Sequence, residues 1–411
     1  MGAKRPHLAA RRQQVGLSQE ALAERLSVER STIQRWESGA TSPQPWHRPR
    51  LAQALSVSLD HLTELLEPAP PLQTTDTVAP AEVEGDGEMP EPTLVFSALS
   101  SNEREQINVA LAHPWRNLNA AVVELLARQL GACMAGDGAV GPAKTLPTVL
   151  GLLAAIERGA RDVRPALRRD LLSLGARGAE FAGWLYRDVR QLPQAGFWYS
   201  RATEWAQEAG DLQAQGYILL KRSQMAYDNR DAVRVLLLAQ AARQRHWQLP
   251  PRVHAEVTQQ EARGLAMTGE SLGLVERKLD EARSILARST DPDDSPDQLG
   301  VYFNEGTLTL RTASCYVEAG KPKHAADLFG DVLATGVLSR RDQGYFLARR
   351  ASSLALAGEP DDAAAVGLES AAVASVTGSA RTKRELGRAL ATLEPWSARP
   401  GPRALREALA T

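Results

Sequence analysis

The sequence predicts an all-α protein, and three observations lead to that expectation. Residues 17–39 place apolar side chains at helical spacing on either side of a short interruption that suits a tight turn. Residues 100–411 are dominated by Ala, Leu, Arg, Glu and Gln, and they contain no convincing run of alternating β-branched residues. Glycine-containing breaks divide that half into paired helices near Gly210, Gly269, Gly320 and Gly358.

Five short helices are expected in residues 1–66, which we take as one compact domain. The first three are predicted at residues 4–14, 19–26 and 29–36, and two more, at 45–55 and 59–66, close the bundle. Ser18 is a suitable N-cap for the second helix, and Gly39 follows the third helix where a helix should stop.

The third of these helices has two chemically different sides. Ile33 and Trp36 fall on its inner side. Its outer side carries Arg30, Ser31, Gln34 and Arg35. Arg can bond guanine through two hydrogen bonds, Gln can bond adenine, and Ser can bond either base. A short helix with this outer side fits the major groove, so we expect these four residues to contact double-stranded DNA.

The charge of the chain supports the same partner. Residues 1–50 contain nine Lys or Arg against four Asp or Glu, whereas residues 51–103 contain none against ten. The basic excess therefore lies on the segment with the expected reading helix, and phosphate neutralisation supplies most non-specific DNA affinity.

A disordered acidic linker is predicted at residues 67–99, between this domain and the rest of the chain. Six prolines interrupt any regular element there, and acidic residues keep the segment solvated. Residues 100–411 are then expected to form one helical repeat domain that serves regulation and dimerisation.

Composition limits the remaining possibilities. The two cysteines, Cys133 and Cys315, are far apart in sequence, which indicates a reducing cytoplasm. No uninterrupted apolar run approaches the length of a membrane span, so no membrane partner is expected. The seven histidines are scattered and no nucleophile motif is visible, so we expect no metal, no cofactor and no enzymatic activity.

The C-terminal half carries a diverged repeat. Gly183 and Tyr186 precede Ala195, Tyr199 and Ala202 at a spacing that resembles the tetratricopeptide repeat, a pair of helices of roughly 34 residues. Ala313, Tyr316, Gly320, Ala325 and Phe329 stand at the same offsets in a second copy. We expect an α-solenoid in which residues 101–165 and 380–411 act as terminal caps.

Residues 1–66 resemble the XRE-type (lambda-repressor-like) helix-turn-helix domain, and the stretch LSQEALAERLSVERSTIQRWESG at 17–39 carries the resemblance. The resemblance implies that Gln19 contacts phosphate or braces the reading helix, and that Arg30, Ser31 and Arg35 face bases with Gln34 beside them. It also implies a buried ion pair between Arg12 and Glu37. Ser27 stands where this family often has Gly, so a turn with positive φ would carry some strain there.

The whole chain looks like actinomycete (Streptomyces-type) regulators that join an XRE domain to a tetratricopeptide-like half. The stretches FAGWLYRD at 181–188, QAGFWYSRATEWAQEAGD at 194–211 and SARTKREL at 379–386 carry this resemblance. It implies a cytoplasmic, nucleoid-associated transcriptional regulator that reads DNA as a homodimer. The alternative is an interaction scaffold whose helix-turn-helix is only a docking module.

The inner helices of the repeats are expected to present a ligand groove. Its candidate lining residues are Glu180, Trp184, Arg187, Tyr217, Lys221, Gln224 and Gln260. Aromatic side chains among charged ones suit the capture of a peptide, a small molecule or a protein partner. The competing interpretation is a rigid dimerisation scaffold without ligand, in which Trp184 belongs to the core.

Overall fold

In a computed structural model of the chain, the described residues are 5–15, 17–43, 47–55, 57, 62, 65–66, 98–288 and 299–410. The chain divides into two compact units, residues 1–88 and 89–411. Every regular element within the described residues is a helix. Most of the expected fifth helix at 59–66 and of the expected linker at 67–99 lies outside the described residues.

The first unit is a small helical bundle. Its helices are α1 Pro6–Gln14, α2 Gln19–Leu26, α3 Arg30–Glu37 and α4 Arg48–Ala54. Apolar side chains from these helices form one core with Leu62, Leu65 and Leu66, and the core includes Leu8, Leu22, Leu26, Ile33, Trp36, Leu51 and Leu55. The third helix begins one residue later than the sequence predicts, because the backbone of Glu29 is still extended and serves as the N-cap.

The turn between α2 and α3 is tight. Ser18 begins α2 by accepting a hydrogen bond from the backbone N–H of Ala21 at 3.0 Å. Ser27 ends the helix with φ of 54°, in the left-handed region. A residue with a side chain is uncommon in that conformation, so this position carries the strain expected of a Ser in place of Gly.

The second unit is an array of helices. They are α5 Ser101–Ala112, α6 Pro114–Asn117, α7 Ala120–Val140, α8 Pro142–Arg161, α9 Pro165–Asp188, α10 Leu192–Ala209, α11 Leu212–Asp228, α12 Ala232–Ala242, α13 Pro251–Met267, α14 Leu272–Ala287, α15 Glu305–Glu318, α16 Pro322–Leu333, α17 Arg340–Ala357, α18 Pro360–Thr377, α19 Ala380–Thr392 and α20 Pro400–Ala410. Short 3₁₀ turns lie at Arg245–Trp247 and Glu394–Trp396. Consecutive helices pack in pairs, such as α9 with α10, α13 with α14 and α17 with α18.

Close approach within a pair depends on small residues. Tyr199 of α10 is fully buried, and its ring lies directly against Gly183 of α9. A Cβ atom at position 183 would come within 2.6 Å of Tyr199 Cε1. The absence of a side chain at Gly183 therefore sets the distance between the two helices.

The two ends of the array meet each other. Asp137 near the end of α7 forms an ion pair with Arg341 in the first turn of α17. Asp188, the last residue of α9, accepts a hydrogen bond of 3.0 Å from Ser379 Oγ, just before α19. The sequence predicts residues 380–411 as a cap at the far end of the array. In the structure α19 packs against α9 instead, so the array closes on itself.

Gly183→Ala tests the packing between α9 and α10. The added methyl group has no room against Tyr199, so we expect the free energy of unfolding to fall by about 1–3 kcal/mol. Gly196→Ala in α10 is the matched control, because nothing lies within 4 Å of the added carbon. Ala is the better helix former, so the control should gain about 0.5–1 kcal/mol. Urea denaturation followed by circular dichroism measures both, and equal effects would contradict the packing argument.

Candidate DNA-binding face and interior cavity

The outer side of α3 is open to solvent. Arg30, Ser31, Gln34 and Arg35 are all exposed. Arg30 Nε lies 2.9 Å from Glu20 Oε1, but both side chains are more than half exposed. An exposed ion pair of this kind contributes little to stability, so Arg30 can exchange Glu20 for another anion at low cost.

Two other residues of this face make contacts within their own helix. Ser31 Oγ donates to Glu29 Oε2 at 3.0 Å. Arg35 donates from Nε to the carbonyl of Ser31 and from Nη2 to Thr32 Oγ1, both at 3.3 Å. All three bonds are exposed and the two from Arg35 are long, so they leave the side chains available to a partner in front of the helix.

A buried pair holds the end of α3 against the rest of the unit. Arg12 Nε of α1 lies 2.6 Å from Glu37 Oε1, and both side chains are only 9% exposed. Arg12 Nη1 also donates to the carbonyl of Leu17 at 2.8 Å. Gln19 Nε2 donates to Glu37 Oε2 at 2.7 Å, so the structure places Gln19 as a brace of α3.

The second unit contains a partly open cavity of about 380 Å³. It is lined by side chains from α7, α9, α11, α13, α15, α17 and α19. Six of the seven expected groove residues line it, namely Glu180, Trp184, Arg187, Tyr217, Lys221 and Gln224. Gln260 does not. It is fully buried on α13, where its Nε2 donates to Ser223 Oγ of α11 at 3.2 Å.

Glu256 of α13 is the acceptor at the centre of one charged cluster. Its Oε1 accepts from Gln224 Nε2 at 2.7 Å and pairs with Arg311 Nη2 at 2.8 Å. Its Oε2 accepts from the hydroxyl of Tyr302 at 2.5 Å, and that hydroxyl accepts from Lys221 Nζ at 2.9 Å. Burial opposes the charged form, but Arg311 and Lys221 outweigh it and lower the pKa of Glu256.

Trp184 is the centre of a second cluster. Three guanidinium groups face its ring, with carbon-to-centroid distances of 5.4 Å for Arg187, 5.3 Å for Arg341 and 4.6 Å for Arg381. Such cation–π contacts are favourable, and more so away from water. Each guanidinium also has a carboxylate partner, which is Asp228, Asp137 and Asp188 respectively.

Tyr227 is the centre of a third cluster. Arg230, Arg263 and Arg349 face its ring at 5.2, 4.6 and 5.9 Å. Arg230 binds Glu318 through two nitrogens, at 2.8 and 2.6 Å. Burial opposes the charge on Glu318, but Arg230 outweighs it and the pKa of Glu318 falls to about 2.

Several cavity residues were not among those expected from the sequence. They are Asp137, Tyr227, Arg263, Tyr302, Arg311, Arg341, Tyr345 and Arg381. The sequence did contain one indication that Arg263 lies among polar side chains. The stretch EVTQQEARG at 256–264 places polar residues around the whole circumference of α13. If such a helix lies inside the protein, polar side chains must surround it, because buried polar groups are hydrogen-bonded.

Comparison with known proteins supports the assignment of the first unit. A family model described as a helix-turn-helix domain matches residues 7–66. The match supports a DNA-binding domain there, which agrees with the exposed face of α3. Comparison with curated proteins and with solved structures gives no match.

Two further findings concern membrane-spanning helices and metal sites in both units. Within the described residues, no helix is long and apolar enough to cross a membrane. The same residues hold no group of three or more His, Cys, Asp or Glu side chains placed to bind a metal ion.

Glu37→Ala tests the brace on α3. The change leaves the buried Arg12 guanidinium without its carboxylate, and breaking such a pair costs about 3 kcal/mol. Backbone amides of α3 should therefore exchange with deuterium roughly 100-fold faster. Glu24→Ala, at an exposed position of α2, is the control. Exchange rates that match the control would contradict the bracing role.

Acid should weaken the second unit through Glu318. Its folded pKa is depressed, so its contribution is present above the unfolded value of 4.5 and is lost as the pH falls towards 2. The full loss should be about 3 kcal/mol, of which about 2 kcal/mol falls between pH 7 and pH 3. Urea titrations at pH 7 and pH 3 measure it, and Glu318→Gln should remove that part of the pH dependence. Asp280→Asn, at an exposed ion pair, should keep it.

Proposed function

We propose that this protein is a sequence-specific DNA-binding regulator of transcription. The observation that carries the proposal is the exposed face of Arg30, Ser31, Gln34 and Arg35 on a helix held by a buried ion pair. The helix-turn-helix match over residues 7–66 supports it. In this proposal α3 is the reading helix of an XRE-type domain and enters the major groove.

The reading residues can exchange their contacts within the protein for contacts with DNA. Arg30 gives up an exposed pair with Glu20, and Arg35 gives up two bonds of 3.3 Å, for charge-assisted bonds to guanine or phosphate. Gln34 and Ser31 then add contacts to neighbouring base edges. The bracing contacts of Glu37 with Arg12 and Gln19 keep the helix orientation fixed while this occurs.

A homodimer follows from the size of the reading surface. One short helix reads only a few base pairs, so we propose that two copies read half-sites about one helical turn apart. We assign the dimer contacts to the second unit, whose helix pairs we interpret as tetratricopeptide-like repeats. The packing of Gly183 on Tyr199 supports that interpretation. We place the protein in the cytoplasm, associated with the nucleoid.

The interior cavity is the proposed effector site. Its volume of about 380 Å³ lies within the usual range of small-molecule pockets, which favours a small ligand over a protein partner or a long peptide. A ligand changes DNA affinity only if it binds one arrangement of the protein more tightly than another. We propose binding rather than catalysis, because the charged groups of the cavity are largely engaged with each other.

Selection from random double-stranded DNA with the full chain, followed by affinity measurement, tests the proposal. A defined site should emerge, and Arg35→Ala should weaken binding to it by about 1–3 kcal/mol and relax the base preference at one position. Arg403→Ala in α20, which removes an exposed Arg of the second unit, is the control for net charge.

Two outcomes would contradict the proposal. Enrichment of no sequence would favour the interaction scaffold with a docking helix-turn-helix. Equal losses for Arg35→Ala and Arg403→Ala would indicate that α3 contributes charge but does not read bases.

A further inference from the structure

The three charged clusters around the cavity differ in their balance of charge. Around Trp184, three guanidinium groups have three carboxylate partners. In the Glu256 cluster, two cations face two carboxylates, since Lys221 Nζ also lies 3.7 Å from Glu180 Oε1. Each of these two clusters therefore has as many carboxylates as cations.

The Tyr227 cluster has one cation too many. Arg230 pairs with Glu318, and Arg349 Nη1 donates to Glu385 Oε1 at 2.8 Å. Arg388 Nη1 adds a further bond to Glu385 Oε2 at 3.1 Å, but its side chain is 25% exposed and it is not one of the three guanidinium groups over Tyr227. Within the part of the chain that the structure describes, Arg263 forms no ion pair with a carboxylate.

Arg263 is nevertheless buried. Only 6% of the residue is exposed, and it lines the cavity. Its Nη1 donates to Gln260 Oε1 at 3.3 Å, while its Nε has no hydrogen-bond partner. Burying a cation without a carboxylate partner is costly, so an anion that compensates this charge would gain free energy on binding.

The remaining acidic residue of the lining belongs to a different feature. Asp342 lies in the first turn of α17, where it accepts a hydrogen bond from the N-cap hydroxyl of Ser339 at 2.7 Å. It is a capping residue of that helix, and no ion pair joins it to Arg263 among the described residues.

We propose that the cavity binds a small organic acid with a single carboxylate, and that Arg263 binds the carboxylate. The inference rests on the proposed function in one respect, since it takes the cavity as the effector site. One uncompensated cation favours one negative charge, which argues against polyphosphates and other multiply charged ligands. A guanidinium is well suited to a carboxylate because its N–H groups can form two parallel bonds.

The body of the ligand should be apolar and flat. Phe181, Leu310 and Phe346 line the same cavity as Arg263. The rings of Trp184 and Tyr345 are already in contact with Arg381, at 4.6 and 3.9 Å from its guanidinium carbon. An apolar ligand gains free energy by burying area against Phe181, Leu310 and Phe346, and a flat ring suits contact with the two phenylalanine rings.

The first test concerns the protein without ligand. Arg263→Met keeps the apolar stem and removes the uncompensated charge, so the melting temperature should stay level or rise. Arg349→Met removes a cation whose partner Glu385 is buried, so its melting temperature should fall. Equal destabilisation by both variants would show that Arg263 is compensated and would overturn the inference.

The second test uses probe ligands. Benzoate, indole-3-acetate and 4-phenylbutyrate are titrated calorimetrically into the full chain, each beside its neutral amide and at matched ionic strength. At least one acid should bind about tenfold more tightly than its amide, and Arg263→Met should abolish that preference. A set in which no acid exceeds its amide, or a preference that survives in Arg263→Met, would overturn the inference.

The two proposals fail separately. If an acid binds through Arg263 but leaves affinity for the selected DNA unchanged, the anion site stands and the effector role of the cavity fails. If selection yields no DNA site while the acid still binds, the anion site stands and the regulator proposal fails. If DNA is read but no acid binds through Arg263, only the anion site is overturned.

Discussion

A charge buried among helices costs free energy unless an opposite charge lies beside it, and both units of this protein contain buried ion pairs that meet this constraint. In the first unit, Arg12 and Glu37 satisfy it and thereby tie the end of α3 to α1. In the second unit, Asp137 and Arg341 satisfy it across 204 positions of sequence and thereby join α7 to α17. Removal of either member of such a pair leaves the other buried without its partner, so each pair opposes arrangements of helices that would separate its two members.

Closure of the array changes what its concave side can do. An open solenoid presents a long groove that suits an extended partner. Here α7 and α9 meet α17 and α19, and the concave side becomes a cavity of limited volume. The charged residues of the inner helices neutralise each other around Trp184 and Glu256. Arg263 is the exception, and its unmatched charge gives the cavity a chemical preference that its shape alone would not.

The positions of individual helices could be predicted from the sequence where the spacing of apolar residues defines one buried side. The period of Leu22, Leu26 and Ile33 places α2 and α3, and the same reasoning locates Trp184 and Lys221 on the inner side of their helices. Contacts between distant elements of the second unit could not be predicted, because nothing local to Asp137 indicates Arg341. The pair of Arg12 with Glu37 in the first unit was predicted only through the family resemblance. Gln260 shows the limit for a single helix, since α13 is buried all round and its period does not reveal which side faces the cavity.

The central claim is that side chains of α3 read bases in the major groove. Protection of guanine N7 from dimethyl sulfate on the selected DNA site reports that contact directly, because N7 lies in the major groove and accepts from Arg. The wild-type protein should protect specific guanines, and Arg35→Ala should lose protection at one position of each half-site while keeping the others. An identical protection pattern for the wild-type protein and Arg35→Ala would contradict the claim.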